Sequence, residues 1–400
     1  MRVILIDPNL KNFAGHSMEF IKSLSKYMQF KKWEWVIISN KIIDNFVRNE
    51  FPYHRLINLI SNNCFEDLFY GKKKFLEDLI EINTKLHFRK EDIVIVITSY
   101  INEISATNYY IKNFNKKHPN FCFWVHQLFP PEDNFIEASR NNRKKYWLNR
   151  FKKEYSGLVN GINIYTTPSK KLQTMLQKII NKKVNILPLP LDADFFENNK
   201  GDGVSTDSLS IGFLGDGRYE KGGLLFLKLV NKLRCLNVKF FIQEAKLRGF
   251  PKEDLNSFNS LLEKLQKEKI IHIIKDNLSQ KDFYNIIKNI DILVLPYHPK
   301  SYDTRTSGIL IQRLCIGKPV VVSSNTWLEE EINKSKAGVV FKYDTNNELK
   351  TVNNLSKTTE ELIRNFRYYK RNAMIASKKY RKLHTAKKFF EAILKSLCGK

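Results

Sequence analysis

The residues of this chain best suited to chemistry are cations and small residues placed where helices begin. In Leu209 to Leu233, LSIGFLGDGRYEKGGLLFLKLVNKL, an apolar run leads through a glycine-rich loop into a helical run, with Arg218 and Lys221 at its start. Arginine grips phosphate through a planar fork, lysine acts as a point charge, and amides at a helix start carry partial positive charge. Arg218, Lys221 and the amides beside Gly222-Gly223 therefore read as a diphosphate clamp. A second helical run, Gly308 to Ile316, is preceded by Arg305, Thr306 and Ser307, whose hydroxyls and free amides would face an anion, with Arg305 as a further cation. His126 is one histidine of eight and would usually be structural; its place after the apolar run Phe121–Val125 and before a Phe-Pro-Pro loop singles it out. No Ser-His-Asp or Cys-His arrangement and no P-loop can be read from the sequence.

The elements that must position these residues form an α/β pattern. The stretch Asp291 to Ser323, DILVLPYHPKSYDTRTSGILIQRLCIGKPVVVS, reads as strand, polar loop, helix and strand, with strands at Ile292–Leu295 and Pro319–Val322. Ligands of open parallel sheets sit beyond the carboxyl ends of strands, which is where the loop Tyr297–Ser307 falls. Further buried strands are expected at Val3–Ile6, Trp35–Ile38, Ile93–Thr98, Phe121–Val125, Ile162–Thr166 and Val184–Leu187, then at Leu209–Leu214, Val238–Ile242 and Ile270–Ile274. After Val3–Ile6, Ala14-Gly15-His16-Ser17 leads into Met18, Phe20, Ile21, Leu24, Tyr27 and Met28 at helical spacing. The proline, acidic and glycine residues of PLPLDADFFENNKGDG mark a domain boundary. The expected layout is an N-terminal Rossmann-like domain over 1–188, a linker over 189–208, a second Rossmann-like domain over 209–358, and basic helices over 359–400. Asp192-Ala193-Asp194 matches a metal-binding Asp-x-Asp in form only, because it falls in the linker.

An apolar strand ending in Pro-Tyr, a polar loop, Ser-Gly, an apolar helix and Gly-Lys-Pro-Val-Val-Val is similar to the donor-binding segment of GT-B glycosyltransferases of family 4. The Gly-rich stretch with Arg218 and Lys221-Gly222 resembles that family's glycine, arginine and lysine-glycine signature. The resemblance implies two Rossmann-like domains facing across a cleft, and transfer of a sugar with retained configuration from a nucleoside-diphosphate sugar to an acceptor hydroxyl. It implies no cofactor and no metal. Gly15 would lie close to the donor phosphates, His126 would hydrogen-bond the donor sugar, Lys275–Leu278 would cradle the base, and the last helix would return to the first domain. The family usually carries two glutamates eight positions apart; counting back from Gly317, Gln312 stands at the second and Thr304 at the first, beside Asp303. Gln312 can still hydrogen-bond a ribose hydroxyl.

Four hundred residues, 42% hydrophobic and 12% aromatic, suffice for two cored domains. Lys and Arg number 67 against 41 acidic residues, a net charge of +26. That excess points to an anionic partner, whether nucleic acid, an acidic membrane surface or phosphorylated substrate; a lysine-rich solvated surface would also produce it. Neither an RRM-type signature nor a zinc-finger pattern is present, which disfavours nucleic acid as the partner. Arg140 to Lys153, RNNRKKYWLNRFKK, gathers Trp147, Leu148 and Phe151 on one helical face, which reads either as a membrane-surface helix or as a helix packed on its own domain. Five scattered cysteines indicate a reducing compartment. The chain shows no signal peptide and no membrane span, so the expected place is cytoplasmic, with peripheral contact at the inner face of the plasma membrane. The expected partners are a nucleotide-sugar donor and a glycan or lipid-linked acceptor in surface polysaccharide synthesis. Alternatives from other classes are a basic nucleic-acid-binding protein and a GT-B protein without transferase activity, such as a sugar-nucleotide epimerase.

Overall fold

The computed structural model describes the chain except for residues 12–16, 62–69, 115–116, 129–145, 147, 156, 193–194, 197–207, 276–277 and 399–400. It divides into two compact units, one of Met1–Asp192 with Thr385–Lys400, the other of Ala193–His384.

The first unit is built on a seven-stranded sheet of parallel pairs in the order β3-β2-β1-β4-β5-β6-β7. The strands are β1 (Arg2–Asp7), β2 (Glu34–Asn40), β3 (Leu56–Ile60), β4 (Ile93–Ser99), β5 (Asn120–Val125), β6 (Ile162–Thr166) and β7 (Asn185–Ile186). Near-continuous apolar runs suit strands covered on both faces, and β1 and β4 are buried at every residue. β3 was not expected; its run LINLI is broken by Asn58, whose side chain accepts a hydrogen bond from Ser39 in β2. The helix Ser17–Phe30 buries Met18, Phe20, Ile21, Leu24 and Met28, five of the six residues whose spacing predicts it.

The second unit has a six-stranded sheet, again of parallel pairs, in the order β10-β9-β8-β11-β12-β13. Its strands are β8 (Leu209–Phe213), β9 (Val238–Gln243), β10 (Ile271–Ile274), β11 (Ile292–Leu295), β12 (Val320–Ser323) and β13 (Gly338–Phe341). β11 and the helix Gly308–Ile316 fall where the sequence places them; β12 is displaced by one residue from the expected Pro319–Val322. Proline lacks the amide that a paired strand supplies.

The basic C-terminal segment differs from expectation. The helix Glu348–Arg364 runs through the boundary drawn at residue 358, and Phe366–Leu383 packs within the second unit instead of leaving it. Tyr380 donates its hydroxyl to Glu331 (2.6 Å), and Arg381 donates to the carbonyl of Cys315 (2.7 Å), which fastens this helix to Trp327–Ser335 and to the end of Gly308–Ile316. Only the helix Ala386–Cys398 belongs to the first unit. There Phe389 meets Trp124 edge-on at 5.1 Å, and Phe390 stacks on Tyr27 at 5.6 Å.

In the cationic aromatic stretch, the described residues favour a helix packed on its own domain. Residues 148–155 are helical, Phe151 is buried and stacks on Tyr155 at 5.6 Å, so Phe151 is core and unavailable to a membrane; Trp147 lies outside the described residues.

Candidate functional site

β8 and β11 are neighbours, yet the chain continues from β8 to β9 on one side and from β11 to β12 on the other. Their carboxyl ends therefore flank the switch point of the second sheet, the usual ligand position in such a fold. Out of β8 comes the turn Leu214–Gly217, a single 3-10 turn at Tyr219–Lys221 and the helix Gly223–Leu233; out of β11 come Pro296, the short helix Pro299–Tyr302 and the loop to Ser307. The two segments are fastened together. The amide of His298 donates to the carbonyl of Glu220 (2.8 Å), and Gly222, at φ +77°, passes so near Pro296 that a Cβ there would lie 2.3 Å from the Pro296 carbonyl oxygen.

This junction gathers the expected cations around two carboxylates, Asp216 and Glu220. Asp216 pairs through Oδ1 with the ammonium of Lys221, accepts from Arg218 Nε at Oδ2 (2.7 Å), and has Arg248 Nη2 3.2 Å from the same oxygen. Arg218 Nη1 stands 3.1 Å from Glu220 Oε1, which also takes Arg305 Nη1 at 3.4 Å. The Arg305 guanidinium lies 4.7 Å from the centroid of the Tyr302 ring, and the Lys221 ammonium 5.9 Å from that of Tyr297. Lys221 is 8% exposed and Glu220 4%, so neither is a solvated surface group. Burial opposes the charge of Asp216, but Lys221 and Arg218 hold its carboxyl far below the usual range. Burial likewise opposes the Lys221 ammonium, and Asp216, Tyr297 and Tyr302 together outweigh it, so its pKa is raised. Asp216 and Lys221 are thus charged throughout the neutral range.

The helix Gly308–Ile316 opens beside it: a Cβ on Gly215 would lie 3.1 Å from both Lys221 Nζ and Ile309 Cδ1. Ser307 caps this helix, its hydroxyl oxygen accepting from the amide of Leu310 and its carbonyl from that of Ile311, each at 3.3 Å. The amides of Gly308 and Ile309 stand ahead of those two, with the positive end of the helix dipole behind them. Asp303, Thr304, Arg305 and Thr306 are half-buried along the loop, whereas Ser307 and Gly308 are buried. Gln312 is 1% exposed. The structure thus brings Arg218, Lys221, Arg305, Ser307 and Gly308 near one another, and adds Asp216, Glu220, Arg248 and Tyr302. The signal for the first two was present, an aspartate between two glycines and a glutamate directly before Lys221; Arg248 and Tyr302 have none.

In the first unit, His126 is half-buried at the end of β5, with Nε2 3.0 Å from the carbonyl of Ile97; Nε2–H is therefore the donor, and the ring is held 4.4 Å from Trp124. Gly15 lies outside the described residues, as do Asp276 and Asn277 of the expected base loop. Asp7, at the carboxyl end of β1, is buried and accepts from the amide of Asn9 (2.9 Å).

No family model and no curated protein matches the sequence. Solved structures do match in fold. Sucrose-phosphate synthase from Thermosynechococcus elongatus superposes with a TM-score of 0.72 at 11% identity, over 100% of both chains. A glycosyltransferase from Rickettsia africae gives 0.69 at 14% identity, over 98% of this chain and 97% of that one. Anabaena HepE, solved with UDP and glucose, gives 0.69 at 11% identity over 100% of both chains. At such identities the likeness is one of fold, and the chain has the GT-B fold, two Rossmann-like domains each built on its own parallel sheet.

Proposed function

We propose that this chain is a glycosyltransferase that moves a sugar from a nucleoside-diphosphate sugar to a hydroxyl of a glycan or lipid-linked acceptor, with retained configuration. The observation that carries this reading is the cluster of Arg218, Lys221 and Arg305 beside the start of the helix Gly308–Ile316, at the switch point of a GT-B second domain. In the transfer, the bond between the anomeric carbon and the diphosphate oxygen breaks and its electron pair leaves with the nucleoside diphosphate. The acceptor oxygen bonds to the anomeric carbon, and its proton passes to the departing diphosphate. Charge therefore accumulates on the diphosphate, where fixed cations and amides stabilise the transition state more than the ground state. In this proposal Arg218, Lys221 and the Gly308 and Ile309 amides take up that charge without a metal ion. Thr304, Thr306 and Asp303 would offer hydrogen bonds to the donor sugar.

The net charge of +26 supports an acceptor that is anionic or presented at an anionic membrane surface, and with it a peripheral role in surface polysaccharide synthesis on the cytoplasmic side. No described helix is long and apolar enough to cross a membrane. The test is thermal stability of the protein and of Lys221→Met against a panel of nucleoside diphosphates and nucleotide sugars. One nucleotide should raise the melting temperature of the natural chain and lose that effect in the variant, since saturation about a hundredfold above Kd stabilises by roughly 2.7 kcal/mol. Indifference to every nucleotide, together with salt-sensitive binding of DNA or RNA, would sink the transferase reading.

A further inference from the structure

The cations of the switch-point cluster already hold anions of their own. Arg218, Lys221, Arg248 and Arg305 are joined by ion pairs to Asp216 and Glu220, four positive charges to two negative. The two carboxylates are held differently. Glu220 is 4% exposed, lies on the turn bonded to His298, and pairs with Arg218 and Arg305 through one oxygen. Asp216 is 36% exposed, follows Gly215 at φ +126°, and engages three cations with its two oxygens. A side chain on such a glycine-hinged turn can swing away at little backbone cost. Its partners Arg218 and Lys221 are the groups that a donor diphosphate would need.

We propose that Asp216 is a specificity-determining residue: it occupies the clamp as an internal anion, and only a ligand with the charge and reach of a diphosphate displaces it. The inference rests on the donor-binding reading above and adds to it the cost that the ligand must overcome. A single phosphate would exchange one set of oxygens for another at Lys221 and Arg218. A diphosphate would do the same while its second phosphate reaches the amides at Gly308 and Ile309, a contact that the Asp216 carboxylate has no counterpart for. In the unliganded protein the aspartate keeps the buried Lys221 and the half-buried Arg218 paired, so its presence favours folding as it opposes binding.

The experiment is calorimetric titration of pyrophosphate and of orthophosphate into the natural chain and into Asp216→Asn, Asp216→Ser and Asp216→Glu, with melting temperatures of each unliganded protein. Asp216→Asn should melt lower and bind pyrophosphate about tenfold tighter, the size expected for removing one charge a few Å from an incoming anion. Orthophosphate should gain as well, so that the preference for pyrophosphate narrows. Asp216→Glu, which keeps the charge, should bind as the natural chain does, and Asp216→Ser repeats the measurement should the asparagine variant not fold. A merely structural aspartate would lower stability without tightening the ligand. A folded Asp216→Asn or Asp216→Ser that binds pyrophosphate no tighter than the natural chain overturns the proposal and leaves the donor site standing. Failure of the natural chain and every variant to bind pyrophosphate or any nucleoside diphosphate overturns both.

Discussion

Replacing Gly222 by alanine tests whether the two segments of the site depend on one close approach. Gly222 has φ +77°, where a residue with a Cβ is disfavoured by about 1–2 kcal/mol. The added carbon would also lie 2.3 Å from the Pro296 carbonyl oxygen, with the Pro296 carbonyl carbon at 3.1 Å and its Cγ at 3.0 Å. Two backbones must then separate by well over half an ångström, and such overpacking costs about 1–3 kcal/mol. The sum is roughly 3 kcal/mol, or about 6–12 °C in melting temperature for a unit of this size. The movement is not confined to Gly222. It pulls on the His298 to Glu220 hydrogen bond and carries Lys221 away from Tyr297 and the start of the helix Gly308–Ile316, so nucleoside-diphosphate affinity should fall about tenfold or more. Differential scanning calorimetry with and without the nucleotide found by the panel measures both effects. A Gly222→Ala protein that melts within about 2 °C of the natural chain and shows the same nucleotide shift would refute the close-approach argument, since even the backbone strain alone exceeds that.

Two further substitutions probe what holds each unit together. Arg313 is fully buried and donates to the carbonyls of Ile287 (2.5 Å), Ile290 (2.8 Å), Asp291 (2.8 Å) and Pro319 (3.2 Å), although burial lowers its pKa to about 9. Arg313→Met should cost about 3–5 kcal/mol in urea unfolding because four carbonyls lose the guanidinium, Pro319 keeping only the Leu293 amide at 3.4 Å, and Arg313→Lys should recover little of it; a lysine variant within about 1 kcal/mol of the natural chain contradicts this. Burial pushes the Asp7 carboxyl up to about 6, against the pull of the Asn9 amide and the Ser17 and Thr98 hydroxyls. The native state then binds more protons than the unfolded one between about pH 4 and 6, so this residue's contribution is full below about pH 4 and is lost as pH rises through 6, by up to about 3 kcal/mol. Asp7→Asn keeps an acceptor for Asn9 and should flatten that part of the stability profile; an unchanged slope would show that Asp7 does not cause it.

What could be read from the sequence was whatever local order alone determines. The helix Gly308–Ile316 has its cap at Ser307 and its glycine stop at Gly317 within ten residues, so its bounds follow from the chain itself. Arg218 and Lys221 were legible for the same reason, since amides and cations at the start of a helix bind anions wherever the fold puts them. β3 was missed because an asparagine that bonds to a neighbouring strand looks, in sequence, like an interruption. Of the C-terminal helices, Ala386–Cys398 belongs to the first unit and Phe366–Leu383 to the second, a division that amphipathic spacing does not carry, since it states that a face is buried without stating against which unit. Gln312 shows the same limit: the resemblance implies a ribose contact, and only the packing reveals that its side chain is 1% exposed in the unliganded chain.

The counter-charges of the site can be seen in the sequence, but not what they pair with. Asp216 reads as a turn residue between two glycines, and its meaning depends on Arg248, thirty-two residues on, and on Lys221 lying 8% exposed. A sequence shows which groups are charged, while the sign of the field that a ligand meets depends on which of those charges already neutralise one another. That is why a count of +26 for the whole chain predicts little about its anion site. The local balance of four cations to two carboxylates is the quantity that matters there, and on the proposal above the less buried of those carboxylates is the one a phosphate would replace.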